Sequence, residues 1–122
     1  MTKSCLVVDD STAVRNVARR ILETMDFAVA EAENGKCALD QCLARMPDAV
    51  LLDWNMPVMT GIEFLRELRG APGGMGPVVV FCTTHGDIDH IAQALGAGAA
   101  EYIIKPFDGD ILKAKFEQLG LL

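Results

Sequence analysis

The sequence predicts an α/β domain built on a parallel sheet, and three observations carry that expectation. Apolar runs of strand length alternate with helical stripes from end to end, the βα rhythm that builds a doubly wound parallel sheet with helices on both faces. The runs Cys5-Leu6-Val7-Val8, Ala49-Val50-Leu51-Leu52 and Val78-Val79-Val80-Phe81-Cys82 are continuously apolar, as strands buried on both faces are. Four runs finish on chemically active residues: Asp9 and Asp10, Asp53, Thr83, and Lys105 after Tyr102-Ile103-Ile104. Open parallel sheets bind ligands just beyond the carboxyl ends of their strands. The five residues are therefore expected to converge on one small site.

Each element has its own justification. After the first strand, Ser11 or Thr12 is placed to N-cap a helix whose apolar stripe is Val14, Val17, Ala18, Ile21, Leu22 and Met25. Phe27 to Ala32 reads as a second, weaker strand. Asn34-Gly35 opens a short helix through Ala38, Leu39 and Leu43, which Pro47 closes. Ala49 to Leu52 is the third strand, Trp54 to Thr60 a loop, and Gly61 begins a helix carrying Ile62, Leu65 and Leu68. The Gly- and Pro-rich stretch from Gly70 to Pro77 reads as a flexible surface connection, too short and central for a domain linker. The fourth strand, a helix with Ile88, Ile91, Ala92 and Leu95, the fifth strand and a last helix from about Asp108 complete five βα units. One domain over 1–122 is expected, with no effector domain.

Bulk properties narrow the function classes. The 122 residues are 51% hydrophobic and 23% charged, a soluble globular composition rather than a disordered one. A net charge of −6 argues against nonspecific nucleic-acid binding. No apolar stretch approaches the ~18 residues a membrane span requires, and no signal-peptide pattern opens the chain, so a cytoplasmic location without membrane insertion is expected. The four cysteines form no CxxC pair, and Cys37 and Cys42 fall on different sides of a helix. They read as reduced thiols used as small apolar residues.

The cluster at the strand ends has a coherent chemistry. Adjacent acidic residues are costly unless a cation neutralises them, and Asp9, Asp10 and Asp53 form an oxygen-rich set suited to Mg²⁺. A carboxylate such as Asp53 is also a competent nucleophile toward a phosphoryl group. Lys105 adds a positive point and Thr83 a hydroxyl donor for the phosphoryl oxygens. Singly, each has a plainer reading: a solvated cap, a helix cap, a surface lysine. Their coincidence at strand ends favours the site.

With these motifs in view, the whole chain resembles the receiver domains of two-component response regulators, particularly the CheY-like single-domain type. The resemblance rests on Leu6-Val7-Val8-Asp9-Asp10-Ser11, on Asp53 through Gly61, on Thr83, and on Tyr102 through Phe107. It implies a flavodoxin-like (βα)5 fold with strand order 2-1-3-4-5. It implies Asp53 as the phosphoacceptor, with Mg²⁺ held by Asp10 and Asp53, by Asp9 largely through water, and by the Asn55 backbone carbonyl. Thr83 and Lys105 would contact the phosphoryl group, and Lys105-Pro106 would be a cis peptide. Thr83 and Tyr102 would act as the switch, altering a face formed by helix four, strand five and helix five. Ile91, Leu95, Tyr102, Ile104 and Lys115 resemble partner-binding positions on that face. Thr84, bulkier than the family's usual small residue, and His85 would set the lifetime of the phosphorylated state together with Asn55. The resemblance further implies a sensor histidine kinase or His-containing phosphotransfer protein as donor, a downstream protein target, and a monomer when unphosphorylated. Trp54 is expected to be partly exposed at the site as a fluorescence reporter of Mg²⁺.

Three rivals fit less well. A haloacid dehalogenase-type phosphatase shares the Asp, Mg²⁺, Thr and Lys set, but carries a second Asp two residues past the nucleophile, where this chain has Asn55. An amide cannot shuttle the proton. An adaptor that is never phosphorylated would not need the complete acidic set. A flavodoxin-like electron carrier would need a phosphate-binding loop where Asp9-Asp10 repels phosphate. The His85–His90 run reads as a solvated helix start rather than a metal cluster.

Overall fold

The computed structural model describes residues 2–54, 56–83 and 88–122. In chain order these form β1 (Ser4–Val8), α1 (Thr12–Thr24), β2 (Ala28–Ala32), α2 (Gly35–Ala44) and β3 (Ala49–Asp53). Then follow α3 (Gly61–Gly70), β4 (Val78–Thr83), α4 (Ile88–Gly96), β5 (Glu101–Ile104) and α5 (Gly109–Gln118). The five strands make one parallel sheet in the order β2-β1-β3-β4-β5.

Strand alternation sorts the core into two layers. Leu6, Val8, Val50, Leu52, Val79 and Phe81 pack with Ala38 and Cys42 of α2, Phe64, Leu65 and Leu68 of α3, and Ala94 of α4. The intervening residues, Cys5, Val7, Leu51, Val80 and Cys82, pack on the opposite face with Ala18 and Leu22 of α1 and Leu112 and Phe116 of α5. β1, β3 and β4 are buried on both sides, which is why they read as unbroken apolar runs. All four thiols are free. Burial raises the Cys5 thiol and pushes Cys42 up to about 11 and Cys82 up to about 12, so these three stay protonated and inert.

Capping fixes where the helices begin. Ser11, Asn34, Thr60 and Asp108 each accept a backbone N–H from the first turn of the following helix. Each of these caps sits in a loop at the carboxyl end of the sheet, so the loops that carry the active residues are short and anchored.

Three expectations need correction. On α1, Val17 is 51% exposed, and on α2, Leu43 is 56% exposed; the sheet covers a narrower stripe of each helix than the apolar pattern implied. On α4, Ala92 of the apolar stripe faces solvent and, among the described side chains, Ala94 is the buried one, while Leu95 is exposed, in line with its place on the partner-binding face. The segment from Gly70 to Pro77 is not a loose connection. Arg69 donates to Gly74 O at 2.7 Å, Pro77 O at 2.9 Å and Gly98 O at 2.7 Å, tying that turn and the α4–β5 connection to the end of α3. Its Gly/Pro content marks the turn, and the tether comes from a side chain outside the stretch.

Candidate functional site

The carboxyl ends of β1, β3, β4 and β5 bring the active residues together. Asp9 directly follows β1, is 3% exposed, and anchors to β2 through its N–H, which donates to Ala32 O at 3.1 Å. Its Oδ1 accepts from Ser11 N at 2.9 Å and its Oδ2 from Lys105 Nζ at 2.7 Å. Asp53, the last residue of β3, accepts from the same ammonium on Oδ1 at 2.9 Å. Thr83 ends β4 buried, and its carbonyl accepts the Lys105 N–H at 2.7 Å. Lys105 leads into a cis peptide with Pro106. The ammonium therefore bridges two carboxylates on different strands, held by the register of β4 and β5.

Charge in this pocket is unbalanced. Asp9, Asp10 and Asp53 place carboxylate oxygens within 4.8 Å of one another, with Asp10 exposed and the other two recessed. Among the described residues, the Lys105 ammonium is the cation paired with Asp9 and Asp53, and three carboxylates gathered this closely suit a hard divalent cation. Asp9 has both oxygens already engaged, which leaves Asp10 and Asp53 better disposed as direct ligands. Burial holds the Asp53 carboxyl above its ordinary value, with repulsion from Asp9 and Asp10 adding to it and the Lys105 ammonium pulling the other way. Burial would by itself depress Lys105, but its hydrogen bonds to Asp9 and Asp53 outweigh that and hold it above its usual value.

The loop after Asp53 is closed on itself. Gly61 N–H donates to Trp54 O at 3.1 Å. Thr60 and Glu63 form a capping box that starts α3, with Thr60 Oγ1 accepting from Glu63 N at 3.3 Å and Glu63 Oε1 accepting from Thr60 N at 3.1 Å. Met56 is buried, and the Met59 side chain lies where a Cβ on Gly35 would stand, at 2.9 Å. Between these two anchored methionines, Val58 is held at φ 71° in a three-residue turn closed by Met59 N–H to Pro57 O at 2.7 Å. A β-branched residue is strained in that region, and Val58 is 78% exposed, so it gains no burial there. Val58→Asn is expected to raise stability by about 1 kcal/mol, because asparagine tolerates positive φ. Urea unfolding checks this: the midpoint should rise at constant slope.

Trp54 is half-buried, as expected of a residue at the edge of the site. What the sequence did not suggest is its partner. The indole lies tilted against Phe81 at 5.2 Å and stacked on the His90 imidazole, with centroids 4.5 Å apart and planes at 22°. His90 thus stands at the start of α4, beside exposed Asp89, with its ring half-buried on Trp54; residues 85–87 of that run lie outside the described residues.

Tyr102 is half-buried, with Lys115 Nζ 5.6 Å from its ring centroid, and Glu101 Oε2 holds that ammonium at 3.5 Å. Leu95 and Ile104 are each 44% exposed on the same side of the fold, while Ile91 is half-buried. A second apolar surface was not anticipated: Ala13, Val14 and Val17 of α1 line a groove of about 350 Å³ with Lys105, Pro106 and Phe107. Its signal was Val17 itself, placed in the core stripe but turned outward. Asn55, Thr84 and His85 lie outside the described residues.

Comparison with known proteins decides the family. Residues 5–117 match the response regulator receiver domain. The chain belongs to that family. The receiver domain is 36% identical over 115 residues to the chemotaxis protein CheY of Pseudomonas aeruginosa, covering 93% of each chain. It is 41% identical over 108 residues to CheY of Halobacterium salinarum, covering 88% of each. Among solved structures, CheY4 of Vibrio cholerae superposes with a TM-score of 0.92 at 27% identity, covering 97% of this receiver domain and 98% of that chain. The CheY-like receiver resemblance and the 2-1-3-4-5 flavodoxin-like fold both stand.

Proposed function

We propose that this receiver domain is a phosphorylation-controlled signalling switch in which Asp53 accepts a phosphoryl group in a Mg²⁺-dependent reaction. The observation that carries the reading is the single Lys105 ammonium bridging Asp9 and Asp53 inside a three-carboxylate pocket. In the transfer, an Asp53 carboxylate oxygen forms a bond to phosphorus while the bond from phosphorus to the donor breaks, and the leaving group keeps that electron pair. Lys105 and the Thr83 hydroxyl stabilise the charge on the phosphoryl oxygens. Asp10 and Asp53, with Asp9 through water and the Asn55 carbonyl, would hold Mg²⁺, which would supply the charge neutralisation that an anionic phosphoryl group needs beside these carboxylates. CheY-like proteins are not turnover enzymes, and here the single event resets by hydrolysis: a water oxygen bonds to phosphorus, the bond from phosphorus to Asp53 breaks with its electron pair returning to the carboxylate, and inorganic phosphate leaves, at a rate set with Asn55, Thr84 and His85.

The donor is a sensor histidine kinase or a His-containing phosphotransfer protein in the cytoplasm. The groove of Ala13, Val14, Val17, Pro106 and Phe107 opens beside Lys105, so it is the apolar surface available to such a donor. The output face is a different one: Leu95 and Ile104, with Ile91, Tyr102 and Lys115. Thr83 and Tyr102 relay the change to it, and the unphosphorylated protein is a monomer. Phosphorylation shifts a partner's affinity only by favouring one arrangement of that face over the other.

Incubation with Mg²⁺ and acetyl phosphate followed by intact-mass measurement tests the reading. One phosphoryl adduct is expected, absent in EDTA and absent in Asp53→Asn. The same variant should unfold at higher temperature than the native chain in EDTA at pH 7. The raised Asp53 pKa means that its ionised form disfavours the fold above that pKa and ceases to do so as acid protonates it. An adduct that persists in Asp53→Asn would place the acceptor elsewhere.

A further inference from the structure

We propose that His90 is a positioning residue that couples the acidic site to α4 through its stack on Trp54. The inference rests on the proposed Mg²⁺ site and goes beyond it, by naming the contact through which occupancy of that site reaches the neighbouring helix.

Trp54 is the residue next to Asp53, and its ring is held between two partners on different elements. Phe81 belongs to the buried heart of β4, whereas His90 stands in the first turn of α4. The Trp54 backbone is fixed as well, since its carbonyl accepts the Gly61 N–H at 3.1 Å. The indole has little freedom to move independently of Asp53. Offset-stacked rings contribute beyond the area they bury, so a shift at Asp53 is passed to whatever stacks on Trp54.

The described side chains of α4 place few apolar groups in the core. From Asp89 to Gly96, Ala94 is the buried residue, His90 and Ile91 are half-buried, and the rest are exposed. Among the described side chains of this stretch, Ala94 offers one methyl group to the core and the His90 ring adds its stack on Trp54. Stretches with few buried apolar groups lie toward the low end of local stability and are easily biased. The stack joins α4 to the residue beside the phosphoacceptor, 36 residues earlier in sequence. The stack on Trp54 is the contact through which His90 is proposed to act.

Trp54 is the sole tryptophan, so intrinsic fluorescence reads this contact directly. The experiment compares the native chain with His90→Leu, which removes the ring, and His90→Phe, which restores one. Each is titrated with Mg²⁺ by Trp54 emission, and hydrogen exchange over residues 88–96 is followed with and without Mg²⁺. In the native chain, Mg²⁺ should change both the emission and the exchange of α4. His90→Leu should weaken Mg²⁺ binding by about fivefold, the low end for coupled sites, and α4 exchange should become insensitive to Mg²⁺. His90→Phe should return both toward native behaviour, a rescue that a merely space-filling role would give equally to leucine.

The failures are separable. Mg²⁺ binding and α4 response identical in His90→Leu and the native chain would overturn the coupling while leaving the metal site intact. Loss in His90→Leu with no recovery in His90→Phe would also overturn it, because the ring would then not be what matters. Absence of any Mg²⁺ response in the native chain would overturn the site reading itself, and the coupling with it.

Discussion

Replacing Lys105 with methionine is expected to destabilise the metal-free protein by about 3 kcal/mol at pH 7, the scale for breaking one side of a buried ion pair. The ammonium stands 2.7 Å from Asp9 and 2.9 Å from Asp53, and the side chains of the three are 15%, 5% and 12% exposed. Methionine fills the space of the lysine stem but leaves the Asp9 and Asp53 carboxylates without the ammonium that bridges them. The loss should depend on conditions in a definite way. Lys105 has its pKa raised by its partners, so its contribution is present throughout the neutral range and fades only as pH climbs through that raised value. Toward acid, protonation of Asp53, whose pKa is raised, relieves the repulsion that methionine leaves behind. The gap between variant and native chain should therefore narrow as pH falls, and also on adding Mg²⁺, which replaces the missing positive charge. Urea unfolding at pH 5 and 7, each in EDTA and in Mg²⁺, checks all four corners. A gap that stays constant across them would mean that the lysine acts through packing and not through charge.

Much of this arrangement was legible because it is written in local pattern. A strand buried on both faces reads as an unbroken apolar run, and Asp9, Asp53, Thr83 and Lys105 each mark the residue where a run stops. The caps at Ser11, Asn34 and Asp108 were legible for the same reason: side chain and backbone partner lie within three residues. What failed to show were relations between distant segments. Nothing in Gly70–Pro77 reveals that Arg69 gathers its carbonyls, and nothing near His90 points to Trp54. The outward turn of Val17 and Leu43 failed differently. A stripe of apolar residues fixes the direction of a helix face but not the width of it that the sheet covers. One of those two misreadings has value, since Val17 lines the groove beside Lys105. Val58 left no trace at all, because a valine in a loop gives no warning of positive φ.

The placement of Asp53 depends on a residue with no side chain, and Gly61→Ala should expose that dependence. A Cβ on Gly61 would collide with the carbonyl oxygen of Asp53 and stand 2.8 Å from Cε1 of Phe81. Phe81 is a fully packed core ring, and the carbonyl is main chain at the end of β3, so neither can yield as a flexible side-chain tip would. Either α3 moves away from the sheet or the end of β3 is pushed aside. The expected cost is about 3 kcal/mol, the upper range for overpacking a rigid site, read as a lower urea midpoint. Function should suffer beyond stability. Displacing a reacting carboxylate by about 1 Å costs on the order of a hundredfold in rate, so phosphorylation by acetyl phosphate should slow sharply even where the variant is fully folded. Gly70→Ala supplies the contrast, because the same helix offers open space around that Cβ, and alanine there should be neutral or mildly stabilising. Equal behaviour of the two alanine variants would mean that the helix start does not hold Asp53 in place. A selective loss at Gly61 would make the close approach of α3 to β3 part of the phosphoacceptor itself, as necessary to its aim as the lysine is to its charge.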